Sequence, residues 1–301
     1  MNQPVDPPRG EPGEGPPDTR PYLCVPYWTA PLSPGGGWDT GQVRPLPGSV
    51  VGYLCESIHP GPYQPGQPLD VRVSVRNSGG GNAAALATVV VYWADPTVGF
   101  AKPNFFAASV VSVPPSRTAP AVATTPTMTA TIPATAPAHV CLVVAVSHPQ
   151  DRAGTVCDPA GDRHWAQRNL QAATVAPGAP ALLPLTVANP LATEGAFEVR
   201  VGPASSSHAA LVGREVGTVP ADAAATVRLL DAEGGQAGEG GREARLSLGL
   251  GPHESRQFQV LVEVADDLPA GRSLALEAAL LGDDGERTLG SLGTVLLAPQ
   301  D

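Results

Sequence analysis

The sequence predicts an all-β protein that contains two β-sandwich domains in series. Apolar residues alternate with polar ones in many short segments, and a period of two is typical of strands with one buried face. In the second half of the chain these segments recur about every 10–15 residues. The 35 prolines and 34 glycines lie largely between them, where turns are needed. A hydrophobic content of 42% argues against overall disorder, and 301 residues suffice for two domains.

The chain divides into five parts by composition. Residues 1–20 are rich in proline, glycine and acidic residues, which predicts a disordered arm. Residues 21–65 hold aromatics and two cysteines but are interrupted by proline and glycine, so we expect an irregular segment packed on the first sandwich. The first domain then spans 66–175, and the second spans 181–301, with APGAP at 176–180 as the linker.

Strands of the first domain differ in how much of each is apolar. Residues 71–76 alternate Val with Arg or Ser, which indicates a half-buried strand. Residues 87–93 are β-branched and apolar on both faces, which favours a central strand. HVCLVVAVSH at 139–148 predicts a core strand, and the proline-rich stretch 114–138 predicts an edge. We expect 167–175 to close this domain.

The second domain offers eight candidate strands separated by turns such as DDLPAG and GDDGE. Together with the first domain they predict less than about 10% helix, against the usual third. The eight segments are ALLPLTVAN, GAFEVRVG, HAALVGREVG, ATVRLLD, ARLSLGLG, RQFQVLVEV, RSLALEAALLG and TLGSLGTVLLA.

One segment also resembles a known family. QPGQPLDVRVSVRNSGGGNAAALATVVVYW, with DRHWAQRNL as a closing signature, resembles bacterial cell-adhesion-related (CARDB-like) immunoglobulin-like modules over residues 66–170. LGLGPHESRQFQVLVEVADDLPAG in the second half is similar to generic bacterial immunoglobulin-like sandwiches. The resemblance implies two immunoglobulin-like domains in tandem, with surface, scaffold or particle-associated roles and no fixed catalytic residue.

Charge and motifs exclude several classes of function. The net charge of −10 and the absence of a basic patch argue against nucleic-acid binding, and no apolar run is long enough to span a membrane. Phosphate-loop, nucleophile-elbow, zinc-protease and dinucleotide motifs are absent, and the six histidines are far apart in sequence. We therefore expect neither an enzyme nor a cofactor.

The four cysteines are Cys24, Cys55, Cys141 and Cys157, and their spacing allows three disulfide connectivities. The N-terminus lacks a basic start and an apolar stretch, which favours a cytoplasmic or particle-associated protein over one secreted by a signal peptide. Reduced, structural thiols fit that expectation. The alternative is a mature chain from which a signal peptide has been removed. Cys141, in the middle of a core strand, should be buried.

An acidic loop, HPQDRAGTVCDPAGDRH, places Asp151, Asp158 and Asp162 near His148 and His164. Several carboxylates at one end of a sandwich are suited to Ca²⁺. The alternative is that these aspartates cap turns, as aspartate often does in loops. The loop also lacks the usual calcium-binding spacing.

Aromatic residues concentrate in the first part of the chain, as they do in protein interfaces and in cores. The candidate partner-binding residues are Tyr22, Tyr27, Trp28, Tyr63 and Trp165. The alternative is that these side chains simply cover the first sandwich. The sequence thus favours a non-catalytic structural or protein-interaction module, a subunit or accessory of a surface or phage-tail-like particle. Its partners would be other protein subunits or further copies of itself. The alternative is a secreted or cell-surface adhesin that binds carbohydrate or protein.

Overall fold

The computed structural model describes residues 19–30, 37–116, 121–176, 178–265, 267–283 and 285–299. The described residues form nineteen strands and one short helix, so the all-β prediction is confirmed. The arm predicted at 1–20 lies outside the described residues, apart from its last two positions. Within the described parts, no helix is both long and apolar enough to cross a membrane.

The strands of the first half are β1 (Leu23–Cys24), β2 (Ile58–Pro60), β3 (Pro68–Asn77), β4 (Ala85–Ala94), β5 (Thr97–Val98), β6 (Asn104–Val113), β7 (Ala121–Thr124), β8 (Met128–Thr131), β9 (Cys141–Ser147), β10 (Trp165–Arg168) and β11 (Leu170–Thr174). The second half contains β12 (Ala181–Ala188), β13 (Gly195–Pro203), α1 (Ser206–Val216), β14 (Val219–Pro220), β15 (Ala225–Leu230), β16 (Ala244–Leu250), β17 (Ser255–Val264), β18 (Arg272–Leu281) and β19 (Thr288–Leu297).

The first sandwich packs a sheet built around β3 against a sheet of order β10-β9-β4-β6. Strands β1, β2, β7 and β8 all pair with β3. The alternation in β3 sends Val71, Val73 and Val75 into the core, where all three are fully buried. Strand β9 is buried on both faces, as its uniformly apolar sequence predicts, and Cys141 is buried as expected.

The second sandwich consists of a sheet of order β11-β19-β18-β13-β16, with β14 beside β18, and a sheet of order β15-β17-β12-β5. Its core is mainly aliphatic, with Phe197 as a buried aromatic ring. Two of its strands come from the first half of the chain. Strand β5, between β4 and β6, pairs in parallel with β12, and β11 pairs in parallel with β19.

Because β11 pairs within the second sandwich, the predicted closing strand of the first domain is divided in two. Residues 165–168 belong to the first sandwich, and after Asn169 the chain continues as β11 in the second. The apolar stretch is continuous in sequence, but its two parts pair with different partners. The division into units at 176–180 remains a prediction.

One predicted strand is wrong: HAALVGREVG forms α1. The hydroxyl of Ser205 accepts a hydrogen bond from the His208 N–H, which caps the helix N-terminus. Gly217 ends the helix in the left-handed conformation, with φ of 72°. Val212 and Gly213 form its buried face.

The segment 21–65 packs on both sandwiches rather than on the first alone. Leu23, Val25 and Tyr27 join the core of the first sandwich. Val51 and Tyr53 pack instead with a group of residues from the second, namely Val212, Ala275 and Val295. The apolar run VVGYL at 50–54 forms no strand in the described structure, where Leu54 makes one isolated bridge, to Arg168.

Candidate functional site

The two sandwiches meet around Asn169, which is fully buried between β10 and β11. Its Nδ2 donates to the carbonyl oxygens of Thr97 and Ser291, each at 2.9 Å. Its Oδ1 accepts from the thiol of Cys141, and its backbone N–H donates to the Tyr53 carbonyl at 2.8 Å. One amide side chain thus ties the first sandwich, β5 and β19 together.

A polar cluster lies next to this junction. Oε1 of Glu277 accepts hydrogen bonds from the Tyr53 hydroxyl at 2.9 Å and from Nδ1 of His208 at 2.6 Å. Nε2 of His208 in turn lies 3.0 Å from the carbonyl oxygen of Gly48. The hydrogen bond to Glu277 raises the pKa of His208. Burial and the same carboxylate raise the pKa of Tyr53, so its hydroxyl stays protonated. The cluster fastens segment 45–54 to the second sandwich.

A cavity of about 580 Å³ borders this cluster, and we call it the junction cavity. Its apolar wall comes from the turn at 45–50 and from Ala278 and Ala279 of β18. Its polar lining includes Gln167, His208, Glu277 and Ser291. Sequence reasoning missed this site because its residues come from five separate parts of the chain.

A second cavity, of about 650 Å³, lies on the other side of segment 45–54. Trp28, Ile58 and Arg168 line it together with Arg214 and Glu215 of α1. Arg168 pairs with Glu215 across the two sandwiches, so much of its polar lining is already engaged in holding the junction.

The structure also brings together a serine and a histidine that are separated in sequence. Nε2 of His59 lies 3.0 Å from Oγ of Ser74, whose hydroxyl is also 3.0 Å from Thr124 Oγ1. Burial lowers the pKa of His59, and the nearby Arg72 and Arg168 lower it further. No carboxylate bonded to His59 is found among the described residues to complete a catalytic triad. The pair instead links neighbouring strands around β3.

The acidic loop does not assemble a calcium site. Asp151 accepts hydrogen bonds from the Leu23 N–H and from Arg163. Asp162 accepts from the Gly154 N–H, and Asp158 pairs with Arg287. In the part of the chain that the structure describes, no group of three or more His, Cys, Asp or Glu residues is arranged to hold a metal ion. The aspartates bind cationic side chains and backbone N–H groups, as the turn-capping interpretation requires.

His164 lies between two of these carboxylates. Its Nδ1 is 2.8 Å from Asp162 Oδ1, and its Nε2 is 3.3 Å from Asp151 Oδ1. Burial lowers the pKa of His164, but the hydrogen bonds to Asp151 and Asp162 outweigh that effect and raise it overall. This ionic cluster anchors the loop and, through Leu23, strand β1.

All four cysteines are free and buried. Burial raises the pKa of Cys24 and of Cys55 to about 12, and it also raises the pKa of Cys141 and Cys157. A thiol with a raised pKa is a poor nucleophile at neutral pH.

Each of the five candidate partner-binding side chains has a bond within the chain. Trp28 and Trp165 donate from Nε1 to the carbonyls of Gly37 and Gly154, and Tyr63 donates to that of Pro137. The Tyr27 hydroxyl accepts from the Gln167 N–H, and the guanidinium of Arg163 lies 3.8 Å from the centre of the Tyr22 ring. Tyr27, Trp28 and Trp165 are buried, whereas Tyr22 and Tyr63 are half-buried.

A different aromatic ring is exposed on a strand of the first sandwich. Phe105 of β6 is 64% exposed, and Leu86 and Val110, farther along β4 and β6, are also exposed. Its ring packs edge-on against Tyr92, which in turn contacts Trp165. A bulge in the pairing of β4 with β6 near Tyr92 accompanies this outward orientation.

Comparisons with known proteins give structural similarity only. No family model and no curated protein matches the chain. The CupB6 tip adhesin from Pseudomonas aeruginosa is similar at 10% identity over 79% of this chain and 93% of that chain, with a TM-score of 0.26. The collagen adhesin from S. aureus is similar at 6% identity over 79% of this chain and 91% of that chain, with a TM-score of 0.23.

Proposed function

We propose that this protein is a non-catalytic interaction module that binds another protein through strand β6. The observation that carries the proposal is an uncharged ten-residue strand, NFFAASVVSV, at the outer edge of its sheet. Among the described strands only β4 pairs with it, so its second edge is available for backbone hydrogen bonds. An open edge of this kind accepts a strand from a partner.

The side chains around this edge suit a protein partner. Phe105, Val110 and Leu86 present apolar groups on the solvent side of the sheet. Exposed aromatic and aliphatic side chains that follow one face of an edge strand suit a protein interface, where aromatic residues often carry much of the binding energy. The proposed module would serve as a subunit or accessory of a surface or phage-tail-like particle, and the CARDB-like resemblance of residues 66–170 belongs to the same proposal. A protein-binding adhesin would use the same edge.

The chemistry of the chain supports the non-catalytic part of the proposal. The described thiols are buried and protonated, and the His59–Ser74 pair bonds to neighbouring strands. Asp151 and Asp162 neutralise His164 and Arg163 in a structural loop.

The test uses Val110→Arg, which places a charge beside the open edge, and Leu182→Arg as the matched control. Leu182 is also exposed, at 53%, but it lies in β12, between β17 and β5 of the second sandwich. Association is measured by pull-down with proteins encoded by neighbouring genes and by light scattering for self-association. We expect Val110→Arg to weaken the complex by about 30-fold, the effect of losing about 2 kcal/mol at an interface centre. Equal binding by both variants, or no association of the parent protein, would refute the role of β6.

A further inference from the structure

The junction cavity contains an unused acceptor in a buried position. Gln167 is only 2% exposed and lines this cavity. Its Nε2 donates to the carbonyl oxygen of Gly52 and to Oγ of Ser291, each at 2.9 Å, which fixes the orientation of the amide. Its Oε1 is left without a hydrogen-bond partner among the described residues. A buried amide oxygen without a partner is costly, so a donor from a bound molecule would stabilise it.

A second hydrogen-bond acceptor, the carboxylate of Glu277, lines the same cavity. The Tyr53 hydroxyl and His208 both bond to Oε1 of Glu277. Its other carboxylate oxygen makes no hydrogen bond within the described residues, and Glu277 also lines the cavity. A ligand held here needs at least two hydrogen-bond donors.

The charges around the cavity indicate a neutral ligand. Glu277 lies in contact with His208, and the turn before β19 contributes Glu286 and Arg287, one acidic and one basic side chain. Arg287 also pairs with Asp158. Since the carboxylate of Glu277 is already in contact with His208 and the guanidinium of Arg287 with Asp158, these groups have charged partners within the chain and do not require an ionic ligand.

The remaining wall is apolar. Pro45, Leu46 and Pro47 form one side, and Ala278 and Ala279 form another. Apolar walls with a few placed polar groups, and a volume within the usual range of about 300–1,000 Å³, are typical of small-molecule sites. The C–H faces of a sugar ring would fit against such walls while its hydroxyls reach the two acceptors.

We propose that the junction cavity binds a neutral polyhydroxylated ligand of monosaccharide size, with donors to Oε1 of Gln167 and to the carboxylate of Glu277. This site is separate from β6 and does not depend on the proposed protein partner. Such a sugar can come free or as the terminal residue of a glycan.

The full chain is tested with D-glucose, D-galactose, D-mannose and N-acetylglucosamine by saturation-transfer NMR and calorimetry, and with an array of immobilised glycans. Binding of a free sugar supports a soluble ligand, and binding on the array alone supports a terminal residue. Ala279→Phe fills the cavity and should abolish binding, whereas Ala265→Phe, at an exposed position beyond β17, should bind like the parent protein.

A second variant tests the chemistry without filling the space. Glu277→Gln keeps the shape of the side chain but removes its charge, and we expect affinity to fall about tenfold with the loss of a charge-assisted hydrogen bond. The proposal is overturned if no sugar binds in either format, if Ala279→Phe binds normally, or if methylammonium competes better than the sugars. Because no protein partner is present, none of these outcomes bears on β6.

Discussion

The ring of Tyr53 occupies the space that a side chain at position 293 would need. A Cβ atom built on Gly293 of β19 overlaps the Cε2 and Cδ2 atoms of that ring. The absence of a side chain in β19 therefore allows segment 45–54 to insert an aromatic residue against the second sandwich.

Gly293→Ala should displace Tyr53 and reduce the free energy of unfolding by about 1–3 kcal/mol, as overpacking generally does. The measurement is urea unfolding followed by tryptophan fluorescence. Gly249→Ala in β16 is the control, since a Cβ there has nothing within 4 Å. Equal stability of the two variants would mean that the Tyr53 ring has room to move.

Asn169→Ala should destabilise the junction by about 2–3 kcal/mol, because it leaves buried carbonyl groups of Thr97 and Ser291 without a donor. Asn104→Ala, at the exposed start of β6, should change stability by less than about 0.5 kcal/mol. Thermal unfolding of both variants measures the difference, and a small effect at position 169 would show that the two sandwiches are held by other contacts.

A fragment that begins at residue 170 should be more stable than one that begins at 177. Only the longer fragment keeps β11, whose five residues pair with β19 and cover part of the second core. Circular dichroism melting of fragments 170–301 and 177–301 compares them directly. Identical melting temperatures would favour the linker at 176–180 as the true boundary.

Deletion of residues 1–45 should unfold the first sandwich rather than leave a folded protein without its partner. The deletion removes Leu23, Val25 and Tyr27 from the core, together with the buried Asp39, whose carboxylate pairs with Arg44. Near-ultraviolet circular dichroism reports the loss of packed aromatics. A native-like spectrum would show that these aromatics are not needed for folding and would favour Tyr22, Tyr27 and Trp28 as partner-binding residues.

The His208–Glu277 contact should make stability depend on pH in one direction. The pKa of His208 is higher in the folded protein than in the unfolded chain, where it is about 6.5. The contact therefore contributes fully to the free energy of unfolding below pH 6.5, and this contribution is lost as the pH rises through the folded pKa. The difference in melting temperature between the parent protein and His208→Gln should thus be larger at pH 5.5 than at pH 8.5.

The control for this measurement is Ser205→Ala. It removes the hydroxyl that caps α1 beside His208 but removes no group that titrates in this range. Its difference from the parent should stay constant over the same range. A pH-independent effect of His208→Gln would mean that its hydrogen bond to Gly48 alone carries the stabilisation.

The sequence predicts those features that depend on local alternation. Strand β3 and seven of the eight candidate strands in the second half form because apolar residues recur on one face. Helix α1 is missed because its ten-residue segment is short and contains two valines and two glycines, which have low helix propensity, and its caps at Ser205 and Gly217 decide the outcome. The destination of β11 is missed because pairing with β19 depends on residues more than a hundred positions away.

The candidate sites likewise include features that local sequence predicts and features that depend on long-range packing. Aromatic composition predicts partner-binding residues in the first part of the chain but does not single out Phe105. The bulge near Tyr92 decides that Phe105 faces solvent while Phe106 is buried. The junction cavity has no local signal at all, because Gln167 and Glu277 meet only when the two sandwiches pack together.

Strands β5 and β11 enter different layers of the second sandwich, each as a parallel neighbour. The two halves are therefore connected by two separate strand pairings and not by a single linker. Torsion about the junction would have to break the pairing of β5 with β12 and that of β11 with β19 together. Rotation of one half against the other is therefore opposed by backbone hydrogen bonds in both layers of the second sandwich.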